Sequence, residues 1–143
     1  MNFRFATMAD SAMLAKLNHQ LIQDEGHRNR MGLPELEQRM RDWLTGEYHG
    51  VLFEEKNTVV VYALYREQVD EIYLRHFFVS RSHRRQGKGR QAMEMLRQQI
   101  WPKDKRLTVE TLAANEAGVA FWRATGYKDY ALKLEILPGG PPV

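Results

Sequence analysis

One segment limits the fold of this chain more than any other: a strand pattern that runs through a basic loop into a glycine-rich helix start. Residues 73–79 alternate as a strand does, and Gly87-Lys88-Gly89 opens a helical pattern. Backbone N–H groups at a helix start lack intrahelical partners and face the positive end of the helix dipole. Glycine allows a large anion to approach that backbone closely. The segment therefore predicts a pyrophosphate-binding turn.

The positive charge of the chain is concentrated in this loop. Residues 81–90 contain five Lys or Arg residues and no acid, whereas the rest of the chain has 16 basic and 18 acidic residues. The net charge of +3 therefore describes one anion-attracting loop on a slightly acidic protein.

The composition also excludes several classes of site. Without cysteine there is no disulfide, no thiolate metal site and no cysteine nucleophile. The five histidines share no metal-ligand spacing, so we expect no metal. No apolar run reaches the roughly 18 residues of a membrane span, and the N-terminus lacks the pattern of a signal peptide. We therefore expect a cytoplasmic protein without a membrane partner.

Hydrophobic periodicity predicts a mixed α/β fold. A short strand at residues 3–6 is followed by two helical patterns, the second of which has Pro34 in its first turn. From Val51 the hydrophobic period changes from helical to extended, which predicts an antiparallel meander of three strands. Its middle strand, residues 58–65, is apolar on both faces, which is typical of a central strand.

The second half of the chain alternates between helix and strand. After the basic loop we predict a helix that Pro102 closes, a strand over residues 107–112, and a helix that Asn115 begins. A last strand over residues 132–137 precedes a frayed tail at 138–143. We expect a single domain over the whole chain.

Two common phosphate-binding signatures do not fit the glycine turn. A Walker loop requires Ser or Thr after its Gly-Lys, and a dinucleotide fingerprint requires its glycine-rich turn directly after the strand. Here Lys88 is followed by Gly89, with Arg90 next, and seven residues separate Val79 from Gly87. On its own, the loop is equally compatible with a basic surface loop.

Two spaced motifs together resemble the GCN5-related N-acetyltransferase (GNAT) superfamily. Residues 84–89, Arg-Arg-Gln-Gly-Lys-Gly, match its Arg/Gln-x-x-Gly-x-Gly/Ala signature, and Val79 stands where the family ends its fourth strand. Asn115 followed by residues 121–127, Phe-Trp-Arg-Ala-Thr-Gly-Tyr, resembles its downstream segment. The resemblance implies a GNAT-like, mostly antiparallel sheet that is flanked by helices and has a splayed central strand pair.

The resemblance also implies acetyl-CoA as cosubstrate and a set of residues that hold it. Backbone amides from Gln86 to Arg90 would bind the pyrophosphate, and basic side chains of the loop would hold phosphate oxygens. The strand ending at Val79 would pair with the pantetheine arm, and a backbone N–H there would polarise the thioester carbonyl. Asn115 would either reach the cofactor or serve only as a helix cap. The predicted cofactor-binding residues are Phe77, Phe78, Val79, Arg84, Arg85, Gln86, Gly87, Lys88, Gly89, Arg90, Asn115 and Trp122.

Acetyl transfer to an amine requires a group that accepts the amine proton. Family members with a glutamate base on this strand have it at the position of Tyr73, and here the nearest acid is Glu71, on the same strand face unless a bulge intervenes. Glu71 is our first candidate for the base and Tyr73 our second. Trp122 stands where many members have a tyrosine that protonates the departing thiolate, and indole cannot serve as that acid.

The acceptor would bind near the loop between the first two helices. Its acids, with Glu71, could attract a cationic amine, whereas Arg28 and Arg30 argue equally for an acceptor that carries a carboxylate. The predicted substrate residues are Asp24, Glu25, His27 and Arg75.

Alternatives from other classes remain open. The basic loop could bind nucleic acid, but it is short, and no aromatic residues interleave it for base stacking. A CoA-binding domain without catalysis would explain Trp122 and the displaced acid. We predict a transferase for a small-molecule or peptide amine with no nucleic-acid partner, and we leave a homodimer open.

Overall fold

The computed structural model describes residues 1–142 of the chain, so of the predicted tail Val143 lies outside the described residues. Within this range five strands and four α-helices follow the predicted order, except that no strand follows the last helix. In chain order they are β1 (Asn2–Phe5), α1 (Ser11–Glu25), α2 (Leu33–Thr45), β2 (Tyr48–Glu55), β3 (Thr58–Glu67), β4 (Glu71–Val79), α3 (Lys88–Met95), β5 (Arg106–Val109) and α4 (Glu116–Ala124).

The strands form one sheet in their sequence order, β1-β2-β3-β4-β5. The first four pair antiparallel, and only β4 and β5 are parallel. Lys56 and Asn57 have φ angles of 51° and 63°, which is the left-handed geometry of a tight β2–β3 hairpin. The structure confirms the predicted mixed α/β fold with a mostly antiparallel sheet.

Helices cover both faces of the sheet. On one face Leu14, Leu21 and Met40 of α1 and α2 pack against buried residues of β2 and β3. On the other face Met93 and Leu96, at the end of α3, pack against the opposite side of β3 and β4. Because both faces are covered, the central strand β3 must be apolar on both sides, and its residues 60–65 are all buried.

A β-bulge interrupts the pairing of β3 with β4. Leu64 pairs with His76 and Tyr65 pairs with Leu74, so Arg75 has no partner on β3. An extra residue shifts the alternation of side chains between the two faces of the strand. Tyr73 and His76 consequently both contact residues on the α1–α2 side of the sheet.

Two predictions for the C-terminal half need correction. The strand predicted over residues 107–112 begins one residue earlier and ends at Val109. The strand predicted over residues 132–137 is absent: this stretch has no sheet partner in the described part of the chain. Its alternating pattern marks extended chain, but a strand also needs a neighbour with which to exchange hydrogen bonds.

Candidate active site

The candidate site begins where β4 and β5 separate. The two strands pair from Glu71 with Arg106 as far as Leu74 with Val109, where β5 ends. Beyond that point β4 continues to Val79 with β3 on one side and no strand on the other. Backbone N–H and C=O groups along this edge are therefore open to an extended ligand. This is the splayed strand pair that the family resemblance implies.

Aromatic side chains line the gap. Phe77 stacks on Phe121 of α4 with ring centroids 5.8 Å apart, and Trp122 meets both rings edge-on at 5.4 Å and 4.9 Å. Trp122 thus forms part of an apolar wall. Asn115 caps α4, since its Oδ1 accepts a hydrogen bond from the Gly118 N–H at 3.1 Å.

The glycine turn lies at the end of this gap, and each of its two positions favours glycine for a different structural reason. Gly87, directly before α3, has a φ of 73°, and a Cβ there would meet nothing within 4 Å. Gly89 is buried, and a Cβ there would lie 3.2 Å from Cε1 of Phe121 and 3.3 Å from Cγ2 of Val79. Gly87 permits the left-handed turn, whereas Gly89 lets α3 approach β4 and α4. A cavity of about 290 Å³ adjoins both glycines.

Asp24 fixes the basic loop to the end of α1. Its Oδ1 accepts from Nη2 of Arg81 at 2.8 Å and its Oδ2 accepts from Nη2 of Arg84 at 2.7 Å. Arg84 also donates from Nε to the Val79 carbonyl at 3.0 Å. The hydrogen bond from Arg81, supported by Arg84, lowers the pKa of Asp24. Asp24, which we predicted to contact the acceptor, thus pairs with two arginines of the basic loop.

The cations of the loop are not equivalent. Lys88 donates from Nζ to Oε2 of Glu55 at 2.6 Å, and this hydrogen bond lowers the pKa of Glu55. Arg85, with a φ of 62°, and Arg90 are exposed, and neither forms an ion pair within residues 1–142. Arg85 and Arg90 are thus the side chains free to meet an anion at the turn, together with the backbone amides from Gln86 onward.

The two candidate proton acceptors lie in different surroundings. Glu71 is the first residue of β4 and accepts from Nη1 of Arg106 at 3.4 Å, at the closed end of the β4–β5 pair. Tyr73 is half-buried, and burial followed by the charge of Glu110 raises the pKa of its hydroxyl. Sequence reasoning missed Glu110, although two-residue alternation places it on the strand face of Thr108, the partner of Tyr73.

The predicted acceptor residues other than Asp24 have different contacts. Nε2 of His27, in the exposed loop after α1, is 3.0 Å from Oε1 of Glu25, the last residue of that helix. Arg28 donates from Nη1 to Oε2 of Glu135 at 3.0 Å, so this loop contacts the C-terminal stretch. Arg75, in the bulge, turns to the aromatic residues of α2 and β2.

Sequence reasoning also missed the aromatic and cationic residues around Arg75. Nδ1 of His76 is 3.3 Å from the Tyr62 hydroxyl, and its ring meets Trp43 edge-on at 5.2 Å. Burial and the neighbouring charges of Arg39 and Arg75 lower the pKa of His76 to about 3, so the ring is neutral near pH 7. The residues come from α2, β2, β3 and β4, so no local motif could reveal the cluster.

Two further features of the described residues concern membranes and metals. None of their helices combines the length and the apolar character that crossing a bilayer would require. No group of three or more His, Cys, Asp or Glu side chains among residues 1–142 could hold a metal ion.

A split β4–β5 pair that leads into a glycine turn at a helix start is the arrangement that the family resemblance implies. A family model described as an acetyltransferase (GNAT) domain matches residues 14–135. The chain therefore belongs to the GNAT acetyltransferase family, whose members use acetyl-CoA.

Solved structures share this fold over nearly the whole chain. A mutant of the BH1408 protein from Bacillus halodurans has a TM-score of 0.79 and 21% identity, with 96% of this chain and 99% of that chain covered. The aminoglycoside 6'-N-acetyltransferase AAC(6')-IG from Acinetobacter haemolyticus has a TM-score of 0.76, 14% identity, and coverage of 96% and 98%. A predicted acetyltransferase from Clostridium acetobutylicum, solved with acetyl-CoA, has a TM-score of 0.73, 15% identity, and coverage of 95% of both chains. A search of curated protein sequences finds no match.

Proposed function

We propose that this chain is an N-acetyltransferase that moves the acetyl group of acetyl-CoA directly to a primary amine of a small molecule or peptide. The observation that carries the proposal is the unpaired edge of β4, which ends at Val79 beside the turn at Gly87. An extended pantetheine arm needs such an edge, and a pyrophosphate needs such a helix start. No other part of the described sheet combines the two.

The remaining cofactor residues fit this assignment. Arg85 and Arg90 supply charge for the phosphates, and Phe77 and Phe121 supply an apolar wall for the arm. A backbone N–H of β4 near Val79 would donate to the thioester oxygen, where negative charge develops during transfer. Asn115 and Trp122 border the gap and are proposed to contact the cofactor from the α4 side.

The reaction needs a neutral amine, because an ammonium has no lone pair with which to attack. We place the proton acceptor among the groups of the β4–β5 pair, which are Glu71 and Tyr73 from the sequence and Glu110 from the structure. Departure of the CoA sulfur needs no acid from the protein, since the thiolate of a thiol with a pKa of about 8.5 is a tolerable leaving group near neutral pH.

The pairing of the basic loop supports a nucleotide-sized ligand over a nucleic acid. Arg81, Arg84 and Lys88 are engaged with Asp24 and Glu55. Two free arginines suit one pyrophosphate, whereas binding to nucleic acid relies on many phosphate contacts along a groove.

Two measurements test the proposed function. Titration calorimetry with acetyl-CoA should show one site, and a thiol-release assay with a panel of primary amines should show turnover for some of them. Binding of acetyl-CoA without turnover on any amine would favour the CoA-binding domain without catalysis. Absence of binding would remove the transferase proposal.

Substitution of both free arginines should weaken CoA binding and its response to salt. For Arg85→Ala with Arg90→Ala we expect an affinity loss of about 10-fold or more, since charge-assisted hydrogen bonds contribute roughly 1.5–3 kcal/mol each when well formed. The wild-type affinity should fall as ionic strength rises, and the double variant should respond less. Lys103→Ala with Lys128→Ala, which removes equal charge outside the loop, is the control. An unchanged salt response in the double variant would make the loop ordinary surface charge.

A further inference from the structure

An uncompensated pair of arginines lies beside the proposed reaction site. The guanidinium carbons of Arg39, on α2, and Arg75, in the bulge of β4, are 4.5 Å and 4.8 Å from the centre of the Trp43 ring. Burial and the nearby charge of Arg75 lower the pKa of Arg39. Two cations held against one indole repel each other, and an anion bound between them would offset that repulsion.

Neither arginine finds that anion within the described chain. Arg39 donates from Nη2 to Oδ1 of Asn18 at 3.0 Å, and Arg75 donates from Nη1 to the Tyr48 hydroxyl at 3.2 Å. Both acceptors are neutral, and the Nε of Arg39 is buried without a hydrogen-bond partner. By contrast, the two arginines of the basic loop that touch α1 both pair with the carboxylate of Asp24.

The position of the pair relates it to the acceptor. Arg75 precedes Phe77 by two residues, or roughly 7 Å of strand, and lies in the unpaired stretch of β4. We propose that Arg39 and Arg75 bind a carboxylate of the acceptor, which makes the acceptor an amine that also carries an acid group, such as an amino acid or a peptide. This inference rests on the proposed transferase function.

Matched acceptors test the carboxylate site. Thiol release is measured with amino acids and dipeptides and with the carboxamide of each. We expect kcat/KM to be about 10-fold or more higher for the acid of a reactive pair. Arg75→Gln should raise KM for the acid by about 10- to 100-fold, with little change in kcat or in the rate on the carboxamide. Arg41→Gln on the exposed side of α2, where Arg41 pairs with Glu37, should leave both acceptors unaffected.

Each outcome separates this inference from the function on which it rests. Turnover with equal kcat/KM for acid and carboxamide, or an equal loss on both in Arg75→Gln, would overturn the carboxylate site and leave the transferase intact. Turnover only on amines that carry no carboxylate would likewise overturn the carboxylate site, whereas acetyl-CoA binding without turnover on any amine of the full panel would refute the transferase itself.

Discussion

Replacement of Gly87 by valine should weaken acetyl-CoA binding by about 10- to 100-fold. Gly87 holds a φ of 73° directly before α3, and a β-branched residue in that conformation costs of order 1–3 kcal/mol. The turn can relieve this strain only by rotating the peptide groups that point their N–H donors toward the pyrophosphate. Titration calorimetry measures the loss. The expected cause is displaced donors, because a Cβ at Gly87 meets no atom within 4 Å.

Gly89→Val should weaken binding to a similar degree by a different route. Its side chain would press on Phe121 and Val79, which a Cβ already approaches to 3.2 Å and 3.3 Å, and would move α3 away from β4. Gly139→Val is the matched control for Gly87→Val, since Gly139 has the same φ of 73° as Gly87 and also has no atom within 4 Å of a Cβ, but lies in the C-terminal tail. Normal affinity in both loop variants would show that the cofactor does not bind at this turn.

Features that depend on residues close together in the sequence could be predicted from it. The order of the elements and the central position of β3 follow from hydrophobic period, and the turn at Gly87 follows from glycine spacing after a strand. Each depends on residues within about one element of each other. The family motifs added the separation of β4 from β5, which periodicity alone does not indicate.

The choice of partners between distant segments could not be predicted. Asp24 pairs with Arg81 and Arg84, 57 and 60 residues away, and so holds the basic loop against the end of α1. The charge pattern indicated that these residues take part in interactions but did not identify their partners. The same limit applies to the Arg39–Trp43–Arg75 cluster, and to residues 132–137, whose alternation is correct for extended chain but does not reveal whether a strand pairs with them.

Loss of the proton acceptor should have the largest effect on turnover, roughly 10²- to 10⁴-fold, the usual range for a positioned general base. We expect this loss for Glu110→Gln, with acetyl-CoA affinity retained. Glu110 follows the end of β5 beside Tyr73, where the strands part, whereas Glu71 is held by Arg106 at the closed end of the pair. Tyr73→Phe should cause a smaller loss, because it removes a hydroxyl that neighbours the carboxylate.

Glu71→Gln tests the assignment made from the sequence. If Glu71→Gln lowers turnover by about 10²-fold or more, as expected for loss of a general base, while Glu110→Gln turns over nearly normally, the base is Glu71. The wild-type rate should rise toward alkaline pH as the amine or base loses its proton, and the variant that lacks the true base should need a higher pH still. If all three variants turn over at nearly the wild-type rate, the amine arrives neutral or loses its proton to water. Catalysis then consists mainly of holding the amine against the thioester along β4.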